Sequence, residues 1–179
     1  KSWRRMVERS AAVRIRSEAP SDIAAINALN RLAFGGPGEW QIIARLRQAK
    51  LIALSLVAEE QGRIVGHILF SWLPTRIDSR EVSAVALAPM AVHPDRQRQG
   101  IGSRLVREGL RQLPALGASA VIVLGHPHFY PRFGFSAGMA RNLAGPFSGE
   151  AFMALELEPG ALRGENGKVT YPAAFGLNR

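Results

Sequence analysis

Cysteine is absent from the 179-residue chain, which excludes disulfides, thiolate metal sites and any covalent intermediate on a cysteine. Long apolar runs are missing too, because no stretch reaches the roughly 20 residues that a membrane-spanning helix needs. The first residues also lack the apolar core of a secretory signal. Together these absences predict a soluble cytoplasmic protein with no membrane partner.

Acidic residues are outnumbered, with 14 Asp and Glu against 23 Lys and Arg and a net charge of +9. The imbalance is largest in residues 1–16, which carry six basic side chains and one acidic one. Such a segment is typical either of an arm that binds RNA or an acidic partner or of a solvated leader, and the lack of interleaved aromatic residues favours the leader. We therefore predict a basic, flexible leader over residues 1–12 and a single domain over residues 13–179.

A strand, a turn and a helix follow one another between residues 85 and 113. Residues 85–92 form an apolar run of strand length, in which Pro89 predicts a bulge or a missing ladder hydrogen bond. After the turn, apolar and charged residues fall on opposite helical faces, which predicts a helix that packs on a sheet. The apolar face holds Ile101, Leu105, Val106, Leu110 and Leu113, and the charged face holds Arg104, Arg107, Glu108 and Arg111.

The turn itself, residues 96–102, is suited to an anion. Gly100 and Gly102 stand at the start of the helix, where unpaired backbone N–H groups and the positive end of the helix dipole point outward. Glycine allows close approach of the backbone, and Arg96 and Arg98 add charge-assisted hydrogen bonds. Gly-x-Gly alone is a weak signal, but this context favours a pyrophosphate site. The missing Lys-Ser/Thr pair argues against a nucleotide triphosphatase P-loop.

Helices and antiparallel strands are predicted before the turn. Apolar residues at helical spacing follow Pro20 and occur again over residues 39–48, which predicts two helices. Residues 52–59 and 64–71 predict a hairpin, and residues 73–81 predict a polar link. The strand that ends at the turn then completes a three-stranded antiparallel meander.

A buried parallel strand is predicted after the turn. Residues 120–124 are continuously apolar, as in a strand covered on both faces, and a strand–helix–strand connection is right-handed and parallel by default. Residues 136–150 predict a capping loop, residues 152–157 a returning strand, and residues 169–171 an edge strand. The fold class is therefore α/β (α+β) with a mixed, mostly antiparallel sheet. A ligand is expected where the two parallel strands end.

Two motifs resemble those of the GCN5-related N-acetyltransferase (GNAT) superfamily. Residues 97–102, Gln-Arg-Gln-Gly-Ile-Gly, are similar to its acetyl-CoA signature, and residues 129–135, Phe-Tyr-Pro-Arg-Phe-Gly-Phe, are similar to the element after its next strand. Residues 149–157 resemble a bacterial branch of predicted acetyltransferases, the YhbS type. The resemblance covers roughly residues 13–175. It implies a GNAT-like central sheet of about six to seven strands with a splayed parallel pair, flanked by about four helices.

The resemblance implies acetyl-CoA as the cofactor, bound at the strand end, the turn and one aromatic residue. The implied cofactor-binding residues are Met90, Ala91, Val92, Gln97, Arg98, Gln99, Gly100, Ile101, Gly102, Ser103 and Phe129. Ala91 and Val92 would act through backbone N–H groups that polarise the thioester carbonyl. No metal is expected, because His126 and His128 have no carboxylate nearby.

Tyr130 is the expected catalytic residue. Acetyl transfer from a thioester expels a thiolate, which a phenol next to the sulfur can protonate. Reference pKa values of about 10 for the phenol and about 8.5 for a thiol make full transfer uphill, so a hydrogen bond to sulfur supplies much of the effect. The alternative is a tyrosine that only packs between Phe129 and Phe133. The base that deprotonates the acceptor stays open among water, Glu39, Glu81, His67, His93, His126 and His128.

The resemblance thus implies an acetyl-CoA-dependent N-acetyltransferase with direct transfer in a ternary complex. The acceptor stays open among small-molecule, peptide and protein amines, and a homodimer stays open as well. The alternative is a non-catalytic module with the same fold, either an acyl-CoA-binding sensor or a basic RNA-associated protein. Nucleic acid is the less favoured partner.

Overall fold

A computed structural model of the protein describes residues 12–177. Its helices are α1 (Ile23–Phe34), α2 (Gly38–Gln48), α3 (Ile101–Gln112) and α4 (Ala137–Ala140), and its strands are β1 (Arg14–Ser17), β2 (Ile52–Glu60), β3 (Arg63–Trp72), β4 (Thr75–Ile77), β5 (Arg80–Val82), β6 (Ala84–Val92), β7 (Ala120–Leu124), β8 (Leu143–Ala144), β9 (Phe152–Glu156) and β10 (Gly167–Val169). Apart from residue 12, the predicted basic leader lies outside the described residues. No helix within residues 12–177 is long and apolar enough to cross a membrane.

The central sheet has six strands in the order β1-β2-β3-β6-β7-β9. β6 and β7 are parallel, and the other neighbouring pairs are antiparallel. The parallel pair arises because α3 carries the chain from the end of β6 back to the start of β7, as a crossover helix does. The predicted mixed, mostly antiparallel sheet is confirmed.

Helices cover both faces of this sheet. On one face, Leu105 of α3 packs among residues that include Ile68 and Phe70 of β3. On the other face, Ile26 of α1 packs with Leu69, the intervening residue of the same strand, as alternation along a strand requires. α2 adds Ile43 and Leu46 to that second cluster. The sheet is therefore buried on both faces, with α3 on one and α1 and α2 on the other.

A second sheet, in the order β5-β4-β10-β8, was not predicted. The polar link expected over residues 73–81 is wrong, because its residues form the hairpin β4–β5. The turn uses Asp78 (φ 48°) and Ser79 (φ 70°), non-glycine residues in the left-handed region, so the usual glycine signal is missing. The Asp78 carboxylate stabilises this left-handed turn by accepting hydrogen bonds from the N–H groups of Glu165 and Asn166.

The expected loop over residues 136–150 contains α4 and β8. The edge strand expected near residue 169 is instead an interior strand, since β10 lies between β4 and β8. Apolar residues of the second sheet, such as Ile77 and Val169, share a buried cluster with Ala86 of β6 and Ile122 of β7. The second sheet therefore holds the parallel pair in place from one side.

Candidate functional site

The two parallel strands separate soon after they pair. β6 and β7 are in register only at Ala84–Ala120, Val85–Val121 and Ala86–Ile122. Beyond that point β6 stays paired with β3 and β7 with β9. The side of β6 that faces β7 is consequently without a ladder partner from Leu87 onward. This gap leaves backbone groups available to a ligand in the middle of the sheet.

A bulge on β6 opens the same region. Ile68 of β3 pairs with Met90, whereas Phe70 pairs with Leu87, so one residue of β3 faces two residues of β6. The extra residue falls at Ala88 and Pro89, where proline has no N–H to donate. The predicted irregularity at Pro89 is confirmed, and it bends the strand at the edge of the gap.

The start of α3 lies beside the gap and presents its unpaired N–H groups. Gly100 caps the helix with φ +82°, a conformation that favours glycine, and nothing lies within 4 Å of the position its Cβ would take. A Cβ on Gly102 would lie 3.4 Å from Met90 Cε. One glycine therefore permits the turn, and the other leaves room between α3 and the residues that face it. The site fits a pyrophosphate at the helix start.

A cleft of about 810 Å³ occupies the gap. Its lining residues come from both faces of the sheet: Phe34, Glu39, Leu87, Ala88, Pro89, Met90, Val92, Arg96, Gln97, Arg98, Gly100, Ile101, Gly102, Ser103, Leu124, Gly125, His126, Phe129, Tyr130 and Arg132. Gly102 belongs to α3 on one face, whereas Phe34 and Glu39 belong to α1 and α2 on the other. The cleft therefore passes through the sheet between β6 and β7.

Tyr130 follows β7 and lines this cleft. Its side chain packs edge-on against Phe129 and Phe135, with ring centroids 5.0 and 5.7 Å apart. A Cβ on Gly125 would lie 2.3 Å from Tyr130 Cε2, so glycine at the strand end makes room for the ring. Burial raises the pKa of Tyr130 to about 12. The phenol is therefore protonated at neutral pH.

Arginine supplies the positive charge on the α3 side. Arg98 lies in the turn with φ +63°. Arg132 stacks over Phe129, with its Cζ 5.3 Å from the ring centroid. Arg96 is partly neutralised, because its Nε donates to Glu60 Oε2 over 3.0 Å. The field at this end of the cleft attracts an anion.

Most of the predicted site residues meet in the cleft. Those that line it are Met90, Val92, Gln97, Arg98, Gly100, Ile101, Gly102, Ser103, Phe129 and Tyr130. Ala91 does not line it, because its side chain is buried and its Cα pairs with His67 across the sheet. Gln99 is exposed and also lies outside the lining. Leu124 and Gly125 also line the cleft, at the end of the parallel strand where a ligand was expected. Phe34 was missed, since no local pattern marks a residue that a distant segment brings to the site.

The structure narrows the choice of base. Glu39 and His126 line the cleft. Glu81 lies on the β5 hairpin strand with its side chain 85% exposed, and His93 Nδ1 accepts the N–H of Asp95. Within residues 12–177 no group of three or more His, Asp or Glu side chains could hold a metal ion.

His67 is enclosed in β3 with no exposed surface. Its Nε2 lies 3.0 Å from Ser55 Oγ, and its Nδ1 lies 3.3 Å from Asn30 Nδ2. Burial lowers the pKa of His67 to about 4, while the charge of Glu18 raises this pKa and that of Arg47 lowers it. His67 is thus a neutral histidine in the sheet and is not accessible as a base.

Acid should destabilise the fold through His67. The unfolded histidine binds a proton near pH 6.5, whereas the folded one stays neutral until about pH 4. The contribution of neutral His67 to the free energy of unfolding is therefore fully present above pH 6.5. It falls by about 3 kcal/mol as the pH drops from 6.5 towards 4. Urea unfolding at about pH 7 and about pH 4.5 measures this loss. We expect most of this loss of stability in acid to disappear in His67→Gln. The control His128→Gln, at an exposed histidine, should lose as much stability in acid as the wild-type protein. Equal losses in the two variants would show that His67 is not the cause.

Comparison with known proteins agrees with this geometry. A family model described as an acetyltransferase (GNAT) domain matches residues 14–138. The chain is 35% identical to the uncharacterized N-acetyltransferase YhbS of Escherichia coli K12 over 164 residues, which is 90% of this chain and 97% of that protein. Among solved structures, it resembles Escherichia coli YhbS in complex with CoA, with a TM-score of 0.83, 34% identity and 93% coverage of both chains. It also resembles a GNAT family acetyltransferase from Brucella melitensis in complex with acetyl-CoA, with a TM-score of 0.76, 39% identity and coverage of 92% of this chain and 99% of that one.

Proposed function

Since the chain belongs to the GNAT family of N-acetyltransferases, we propose that it transfers the acetyl group of acetyl-CoA directly to a primary amine in the cleft between β6 and β7. The observation that carries the proposal is the conjunction of the gap between these strands with the glycine-capped start of α3. Both features lie next to Tyr130 along one cleft. CoA and acetyl-CoA are the ligands in the related structures from Escherichia coli and Brucella melitensis.

The start of α3 would hold the pyrophosphate. The N–H groups of Ile101, Gly102 and Ser103 belong to the first turn of the helix, which has no intrahelical partner for them. Arg98 adds a cation beside that turn. When bound, acetyl-CoA supplies an acetyl group already activated as a thioester.

Residues of β6 and Tyr130 would act at the reacting centre. Backbone N–H groups in residues 90–92 that face the gap can donate to the thioester carbonyl, where negative charge develops. The Tyr130 hydroxyl donates to the sulfur as the C–S bond breaks and the new N–C bond forms. The raised pKa of Tyr130, about 12, keeps the donor protonated but makes complete transfer to free thiolate unfavourable. A hydrogen bond that strengthens as sulfur gains charge is therefore its main contribution. The amine proton leaves to a base, for which Glu39 and His126 lie in the cleft.

The absence of cysteine supports direct transfer. A two-step route requires a nucleophile that takes the acetyl group first. The chain contains no cysteine, so an acetyl-cysteine cannot form.

A screen for CoA release tests the proposed function. Purified protein with acetyl-CoA and pools of primary amines should release free thiol, and mass spectrometry should find one acetyl group added to an amine. A thermal shift with acetyl-CoA but no thiol release with any pool would favour the non-catalytic acyl-CoA-binding alternative. Tight retention on heparin with no thermal shift on addition of acetyl-CoA would favour the RNA-associated alternative.

A cytoplasmic location and a homodimer both stay predictions.

A further inference from the structure

The two ends of the cleft differ in charge. Its charged lining residues on the α3 side and in the loop after β7 are Arg96, Arg98 and Arg132. Glu39 is the one carboxylate among the lining residues that the structure describes, and it belongs to α2 on the opposite face. A carboxylate would repel the phosphates of CoA, so its place in the cleft suits a different ligand.

Glu39 is available to that ligand. Its side chain is half-buried, and no cation in the described part of the chain forms an ion pair with it. By contrast, Glu18 and Glu60 are engaged with Arg47 and Arg96. Glu39 lies in the first turn of α2, where the positive end of the helix dipole favours a carboxylate. A partly desolvated carboxylate without an ion-pair partner selects a cation.

Apolar side chains accompany Glu39 in the cleft. Phe34 at the end of α1 is 44% exposed, and Leu124 at the end of β7 is 47% exposed, although both are large hydrophobic residues. Both line the same cleft as Glu39. Exposed apolar surface in a cleft is typical of a site that receives an apolar part of a ligand.

We propose that Glu39 and Phe34 determine acceptor specificity and select a cationic primary amine attached to an apolar or aromatic group. Glu39 binds the ammonium group, and Phe34 packs on the apolar group next to it. The ammonium gives one proton to water or to His126, which lines the same cleft, before its nitrogen attacks the thioester carbonyl, and a second proton leaves the same way as the amide forms and the thiolate departs. The inference assigns Glu39 to binding of the acceptor, and proton removal to water or His126. Amines that carry their own carboxylate, such as free amino acids, are rejected because that carboxylate meets Glu39. The inference rests on the proposed function and specifies the acceptor that enters from the α1 and α2 face.

Steady-state kinetics with three amines tests the proposal. The probes are 2-phenylethylamine, ethylamine, which lacks the ring, and L-phenylalanine, which adds a carboxylate. We expect kcat/KM to be highest for 2-phenylethylamine and at least about tenfold lower for L-phenylalanine. Glu39→Gln should raise the KM for 2-phenylethylamine about tenfold and narrow its advantage over L-phenylalanine, with the KM for acetyl-CoA unchanged. Phe34→Ala should raise the KM for 2-phenylethylamine more than that for ethylamine.

Glu81→Gln is the matched control, because it removes the same charge from an exposed carboxylate outside the cleft. It should behave as the wild-type protein. Acetylation of L-phenylalanine as efficient as that of 2-phenylethylamine, or equal KM values in Glu39→Gln and Glu81→Gln, would overturn the inference and leave the proposed function intact. A Glu39→Gln variant with a lower unfolding temperature but an unchanged KM would show that Glu39 only stabilises the start of α2, and it would overturn the inference as well. Absence of CoA release with every amine would overturn the proposed function itself.

Discussion

Replacement of Tyr130 by phenylalanine should lower turnover by about 10²-fold, the low end of the range for general acid catalysis. The change removes only the hydroxyl and keeps the ring, which packs on Phe129 and Phe135. Binding of acetyl-CoA should therefore stay within a few-fold of the wild-type value. The measurement is kcat for acetyl transfer, together with the dissociation constant of acetyl-CoA from a thermal shift or calorimetry.

Tyr171→Phe is the matched control for this prediction. Tyr171 is the other of the two tyrosines in the chain, burial raises its pKa to about 12 as well, and it packs against Phe147 and Phe175 away from the cleft. Turnover should not change in this variant. If Tyr130→Phe loses acetyl-CoA binding with no separate loss of kcat, Tyr130 is a packing residue and not the donor to sulfur.

Gly100→Glu should abolish the stabilisation that acetyl-CoA gives the fold. At a ligand concentration of a hundred times the dissociation constant, binding adds about 2.7 kcal/mol to the free energy of unfolding. For a domain of this size that is a rise of about 5–10 °C in Tm. A glutamate at Gly100 places a side chain and a negative charge where the pyrophosphate would lie, and the rise should disappear. Differential scanning fluorimetry with and without acetyl-CoA measures it.

A left-handed glycine elsewhere in the chain separates this effect from backbone strain. Gly117 has φ +90°, and like Gly100 it has open space where a Cβ would lie. It ends the 3-10 helix Leu113–Leu116, which lies outside the cleft. Gly117→Glu should lower the basal Tm through the same strain but keep the full rise with acetyl-CoA. Equal rises in both variants would remove the start of α3 from the cofactor site.

The parts of the fold that were predicted are those encoded locally. The strand, turn and helix around Gly100 are contiguous in the sequence, so apolar periodicity and two glycines were enough to place them. The parallel orientation of β6 and β7 was predicted from the strand–helix–strand connection, whereas the residues that pair, 84–86 with 120–122, came only from the structure. The glycine-capped start of α3 was predictable because one short segment supplies both its backbone turn and its arginines.

The parts that were missed depend on long-range contacts. The second sheet joins strands of two or three residues from distant segments, too short to show a period of two. Its hairpin turn at Asp78 and Ser79 carries no glycine, because contacts with residues 165 and 166 hold it. Likewise, Phe34 joins the site only through the packing of α1. Nothing in the sequence next to Phe34 marks it as a residue of the site.

A crystal structure of this protein with CoA would show whether the gap between β6 and β7 holds the cofactor with its sulfur at Tyr130. We expect the pyrophosphate on the N–H groups at the start of α3, the pantetheine arm in the gap, and the sulfur within hydrogen-bond distance of the Tyr130 hydroxyl. CoA bound outside the gap would show that the cleft is not the cofactor site, and a sulfur out of reach of Tyr130 would show that Tyr130 is not its hydrogen-bond donor.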